Sequence, residues 1–262
     1  MIRALVLGLI QGLTEFLPVS SSGHLVLAER ILRVPSSGVL LEVLLHLATL
    51  VAVVALFWRD LVRLVRSLFT RNDKEGRREV LFLVVGTLPI AFLGFFFQRT
   101  VTAAFTSLPL VGICLLVTGA ALLAASHATP NAQRSHLRLV DAVTIGLAQA
   151  VALLPGISRS GSTLCAGILS GVEARQAARF SFLLSIPAIL GAGILKLPEA
   201  LRSTAVSRDE WLWYFAAMLV AGLVAALTIR GLLAALARGK LKWFGVYCLV
   251  VGLFTIGFAL FG

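Results

Sequence analysis

Two short stretches of this chain carry residues that could do chemistry. Gln11 to His24, QGLTEFLPVSSSGH, sets a carboxylate, three consecutive hydroxyls, a glycine and an imidazole into apolar sequence, and Pro155 to Thr163, PGISRSGST, sets a guanidinium among hydroxyls and glycines. Gln11 and Glu15 are four apart and share one helix face. Ser21 and His24 supply the nucleophile and the acid/base partner of a covalent phosphoryl transfer. Ser158, Arg159, Ser160 and Thr163 lie just before a short apolar run, where unsatisfied helix N–H groups, hydroxyls and a forked guanidinium make a phosphate cradle. Ser20 and Ser22 offer the same hydroxyl chemistry in the first stretch. Glu15 and the amide oxygen of Gln11, joined by diphosphate oxygens, form the oxygen set that a divalent cation, Mg2+ or Ca2+, accepts. Glu15 can equally act as a base.

A blander reading has the serines and Thr163 capping helices while Arg159 pairs with Glu15. It leaves so many hydroxyls and glycines in apolar sequence unexplained. His24 could likewise be a capping or core residue. His46 reads as a packed residue placed where it can support the site, and His127 and His136 as solvated.

These groups need elements that hold them in lipid. The chain of 262 residues is 59% hydrophobic and 13% charged, with a mean hydropathy of +0.98. Too little polar surface remains to solvate a globule of that size, so the expectation is an all-α integral membrane protein in a lipid bilayer. Ionisable groups in such sequence mark a functional site. The basic excess, 23 Lys and Arg against 12 Asp and Glu, gathers between apolar runs without interleaved aromatics, which speaks against nucleic acid. Cys114, Cys165 and Cys248 stand singly, without metal-ligand or disulfide spacing. The run from Arg3 to Ile10 resembles a signal peptide until Gln11, Glu15 and Pro18 interrupt it without a cleavage site, so it is expected to stay.

A shift of 138 positions lays Gly8, Gln11, Ser20, Ser22 and Gly23 on Gly146, Gln149, Ser158, Ser160 and Gly161 and sets Arg159 opposite Ser21. A duplicated unit explains this, with a first repeat over 1–135 and a second over 136–262. Met1–Leu17 with His24–Leu32, and Val140–Leu154 with Thr163–Gly171, are segments too short to cross roughly 30 Å of hydrocarbon. They are expected to form two re-entrant hairpins, over 1–33 and 140–172. Leu40–Trp58, Val80–Phe97, Leu108–Ala125, Phe180–Leu197, Trp211–Ala235 and Phe244–Phe261 are expected as six full spans. Three spans per repeat invert the second copy, and such inverted repeats bring their broken helices together near the midplane. With the basic loop Arg59–Arg78 inside, inside segments carry fifteen Lys and Arg and outside ones seven, so the site should open outward.

QGLTEFLPVSSSGH and PGISRSGST resemble the two signature motifs of the undecaprenyl-diphosphate phosphatase family, the bacitracin-resistance proteins of bacterial plasma membranes. The resemblance implies hydrolysis of undecaprenyl diphosphate, a prenyl diphosphate lipid, at the outer face of that membrane, where the lipid carrier of cell-wall synthesis is recycled. It places the active site on Glu15, Ser21, His24, Ser158, Arg159 and Thr163 and leaves a homodimer open as an assembly. Many members carry glutamate where this chain has Gln11, so a metal site built on two carboxylates is not implied here. A transporter or lipid flippase would share the architecture, but Ser21, His24 and Arg159 together are a hydrolytic set. Whether Ser21, His24 or a water under Glu15 attacks phosphorus stays open.

Overall fold

The computed structural model describes residues 2–33, 38–203 and 206–261; Met1, at the start of the first expected hairpin, lies outside them. The described residues form twelve α-helices and a 3-10 turn, Thr129–Asn131, with no strand among them. A short pair of helices opens each of two runs of the chain. α1 (Ile2–Thr14) and α2 (Ser21–Leu32) are followed by α3 (Gly38–Leu56), α4 (Trp58–Phe69), α5 (Lys74–Phe96), α6 (Gln98–Ala104) and α7 (Leu108–Ala128). α8 (Leu139–Val151) and α9 (Arg159–Leu169) are followed by α10 (Ala174–Ser203), α11 (Arg208–Ala237) and α12 (Leu241–Phe261).

Six helices are long and apolar enough to cross a membrane: α3, α5, α7, α10, α11 and α12. Their outward faces are apolar as well. Leu212, Phe215, Leu219, Leu223 and Leu227 run along α11 at helical spacing and all are exposed, a stripe suited to lipid. α1, α2, α8 and α9, at 13, 12, 13 and 11 residues, span no more than about 20 Å each at 1.5 Å per residue.

The helices pack α1 on α11, α8 on α5, α3 on α10 and α7 on α12. Exchanging the halves, α1 for α8, α5 for α11, α3 for α10 and α7 for α12, returns the same pairs. Small residues permit the closeness that lipid-embedded helices use in place of a hydrophobic driving force. A Cβ on Gly8 would sit 2.5 Å from the Ala217 carbonyl, one on Gly146 2.7 Å from that of Gly86, and one on Gly119 2.9 Å from that of Gly245.

Several boundaries differ from the sequence expectation. Arg59–Arg78 is not one basic loop. Leu64 and Ser67 of α4 are buried, and its Asp60 accepts from Arg179 Nε at 2.9 Å. Leu61, Leu64, Val65 and Leu68 recur at helical spacing there, a pattern masked by the arginines between them. α2 begins at Ser21 rather than His24, and α9 at Arg159 rather than Thr163, because Ser20 and Ser158 cap those helices earlier than the glycines suggested. α10 extends through Pro187 and Pro198 to Ser203.

Candidate active site

The two turns are built alike. Ser20 caps α2 by accepting from Gly23 N at 3.3 Å, and Ser158 caps α9 by accepting from Gly161 N at 3.0 Å. In each, the capping hydroxyl also meets the one two residues on, Ser22 at 3.2 Å and Ser160 at 3.3 Å. Both turns are anchored to the α7–α12 pair. Thr118 Oγ1 donates to Gly156 O at 2.9 Å and accepts from Ser158 N at 3.1 Å, while Cys248 Sγ donates to Pro18 O at 3.7 Å. Gly156 sits at φ +95°, where a Cβ would lie 2.3 Å from Val111 O, so only glycine fits. The backbones differ in one respect: Ser20 has φ +69°, Ser158 φ −75°. A left-handed serine is strained. The turns touch directly, Ser160 Oγ donating to Leu17 O at 2.8 Å.

Where they touch, Glu15 is buried at 5% exposure and fully engaged. Arg159 Nη2 donates to its Oε1. On Oε2, Ser21 Oγ donates at 2.5 Å and Gln11 Nε2 at 3.0 Å, and His46 Nε2 lies at 3.6 Å. The carboxylate thus joins α1, α2, α3 and α9. Arg159 Nη1 and Gln11 Oε1 are buried without a hydrogen-bond partner. A guanidinium N–H left so costs free energy unless a ligand completes it.

The cluster forms one wall of a cavity of about 1110 Å3. Glu15, Ser20, Ser21, Ser22, Ser158, Arg159 and His46 line its polar end, and Ile90, Val101, Phe105, Leu108, Leu153 and Ile189 an apolar side. Arg33, Gln98, Lys196 and Ser203 line it too, with the carboxylates of Glu29, Glu42 and Glu199. Such a wall suits an amphiphile with an anionic head.

Not every residue expected in the site faces this cavity. His24 turns away: its Nδ1 donates to Ser20 O and its Nε2 accepts from Tyr247 OH, both at 2.8 Å, and its ring stacks on Tyr247 with centroids 5.6 Å apart. Both nitrogens are therefore engaged away from Ser21, which donates to Glu15 instead. Thr163 is 1% exposed and bonds back to Arg159 O at 2.8 Å and across to Ser181 Oγ at 2.5 Å, so it braces α9 against α10. Ser160 spends its hydroxyl on Leu17. His46, which the sequence placed only as a supporting group, faces the centre. His46 Nδ1 donates to Glu42 O at 2.8 Å, which leaves Nε2 to face Glu15. A histidine one turn after Glu42 on a span was the available signal. His127 and His136 are exposed as expected.

The donor set does not fit a resident Mg2+ or Ca2+ at Glu15 and Gln11. Both carboxylate oxygens already accept N–H or O–H donors, one from a guanidinium, and Gln11 turns its NH2 rather than its oxygen toward Glu15. No group of three His, Cys, Asp or Glu able to hold a metal occurs among the described residues.

The model of the family described as bacitracin resistance protein BacA matches residues 4–254. The chain is 40% identical to an undecaprenyl-diphosphatase of Halothermothrix orenii over 97% of this chain and 96% of that one. It is similar to others from Moorella thermoacetica, 40% identical over 94% and 93%, and Bacteroides fragilis, 37% identical over 97% and 96%.

Proposed function

The chain belongs to the bacitracin resistance protein BacA family, and on that premise we infer that it hydrolyses undecaprenyl diphosphate to undecaprenyl phosphate and inorganic phosphate, with the two repeat turns as its active site. The observation that carries the site assignment is the buried, unpartnered Nη1 of Arg159, in a guanidinium lining the same cavity wall as Ser21. A terminal phosphate laid against Nη1 and the N-terminus of α9 stands before the Ser21 hydroxyl.

Ser21 Oγ then attacks phosphorus, its proton passing to Glu15 Oε2 along the 2.5 Å hydrogen bond. The Oγ–P bond forms as the bridging P–O bond breaks, and undecaprenyl phosphate leaves with the electron pair. Water next attacks the phosphoserine and restores the hydroxyl as inorganic phosphate departs. Glu15 is a weak base while Arg159 holds it ionised. Nε2 of His46, 3.6 Å from the same oxygen, gives the transferred proton a second place to rest. Arg159 does double duty, orienting Glu15 through Nη2 and stabilising phosphoryl charge through Nη1. No step is routed through a metal ion.

The architecture we read around this site is an inverted repeat of 1–135 and 136–262, each a re-entrant hairpin and three spans, in the bacterial plasma membrane. The exchange-invariant helix pairing supports the repeat. The cavity lining supports the outward opening: Arg33, Gln98, Lys196 and Ser203, all of which line it, lie on segments that the charge count puts outside. The test is phosphate release from a prenyl diphosphate by the purified chain, with Ser21→Ala and Arg159→Ala alongside. Normal release by either variant would remove the turns from the reaction.

A further inference from the structure

At the end of the molecule away from the cavity, α4 shows three faces. Its inner face is locked. Asp60 accepts from Arg179 Nη2 at 2.5 Å, Arg179 Nη1 reaches Glu79 at 2.5 Å, and Arg63 pairs with the other oxygen of Glu79. Gly76 completes the fit, since a Cβ there would lie 2.4 Å from that of Ser67. The second face is basic: Arg59, Arg63 and Arg66 recur at helical spacing and line one cleft of about 380 Å3 with Trp58, Val62 and Asp73. The third is apolar, with Trp58 at 60% exposure, Val65 at 57%, Leu68 at 51% and Phe69 at 85%.

We propose that this cleft binds the phosphate of an anionic phospholipid, whose acyl chains cover the apolar face. Three features commit the occupant. Arg59, Arg63 and Arg66 face the single carboxylate of Asp73 in the cleft, and Asp60 on the same helix is paired with Arg179, so the cleft presents net positive charge even with Arg63 paired to Glu79. The apolar face continues directly from α3, a span that ends two residues before α4 begins, which sets the arginines at headgroup depth. A soluble anion would satisfy the guanidinium groups but leave Trp58, Val65, Leu68 and Phe69 in water. The Glu79 pairing of Arg63 fixes one guanidinium in advance and so lowers the ordering cost of binding.

The full chain, with Trp211, Trp213 and Trp243 replaced by Phe so that Trp58 alone reports, is reconstituted in nanodiscs of phosphatidylcholine containing one-fifth brominated lipid. Brominated phosphatidylglycerol should quench Trp58 well beyond brominated phosphatidylcholine at the same fraction. Arg59→Gln and Arg66→Gln should each cut that preference about fivefold, the value of one guanidinium at an anionic surface. Lys242→Gln, a basic residue beside Trp243 on α12, should leave it intact. Equal quenching by both lipids overturns the proposal. So does loss of the preference in millimolar inorganic phosphate, which would make the cleft a site for soluble anions. A loss of preference in Lys242→Gln equal to that in Arg59→Gln overturns it too, by reducing it to net charge.

Discussion

Arg159 meets Glu15 across 144 positions of sequence with only one of its two terminal nitrogens, and the other is buried with nothing to bond. An ion pair built for stability would use both. Lysine at this position keeps the charge toward Glu15 but cannot divide itself between a carboxylate and a phosphate. Arg159→Lys should express normally and lose roughly a hundredfold or more in turnover. Turnover close to that of the unaltered chain would show that the fork does not matter.

The nucleophile can be told from its bond to phosphorus. Rapid quenching with radiolabelled substrate should trap an acid-stable, base-labile phosphoserine, absent from Ser21→Ala, whose turnover should fall roughly a thousandfold or more. His24 is held by Ser20 and Tyr247, so His24→Ala should still form the label. An acid-labile label that vanishes in His24→Ala would reverse these roles, and no label at all would leave attack to water.

His46 sits 3.6 Å from the Glu15 oxygen that Ser21 uses. If it shares the proton, His46→Gln, which keeps a polar side chain of similar reach, should lower kcat by about 10- to 100-fold while KM stays within a few-fold. A kcat close to that of the unaltered chain would leave His46 a packing residue.

Both oxygens of Glu15 already accept donors, three in all, so the substrate-free protein should hold neither Mg2+ nor Ca2+. Calorimetry with either ion is expected to show no binding stronger than the millimolar range. Gln11→Glu replaces the amide donor, 3.0 Å from Glu15, with a second carboxylate and should create a measurable site. Tight binding of either ion by the unaltered chain would contradict the hydrogen-bond set around Glu15.

Orientation is checked by accessibility. In a background lacking Cys114, Cys165 and Cys248, a cysteine replacing Asn72 should resist an impermeant thiol reagent in intact cells and one replacing Ser203 should react. The reverse pattern would turn the cavity mouth to the inside.

Much of this was legible in the sequence because polar groups are costly in lipid, so each one within a span asks for a reason. Glu15, Ser21 and Arg159 were readable on those terms, and so were the six long helices. What was not readable is direction. Thr163 and Ser160 have the right chemistry for phosphate, yet their hydroxyls turn to Ser181 and Leu17, a choice made by helices that pack from elsewhere in the chain. His46 could not be placed because a lone histidine on an apolar helix says nothing of which side faces the partner. α4 was hidden by its own arginines, whose charge suggested a loop where the apolar spacing between them builds a helix.

The left-handed backbone of Ser20, set against the relaxed one of Ser158, marks how two copies of one motif have parted ways. In the second turn the capping serine is relaxed and the unusual backbone falls on Gly156, at φ +95°. In the first turn a serine itself is bent against its preference, directly before Ser21, the residue proposed as nucleophile. The two similar turns therefore carry their strain on different kinds of residue. Ser20→Gly and Ser158→Gly would therefore differ in their consequences: each removes a capping hydroxyl, but only the first also relieves a strained backbone.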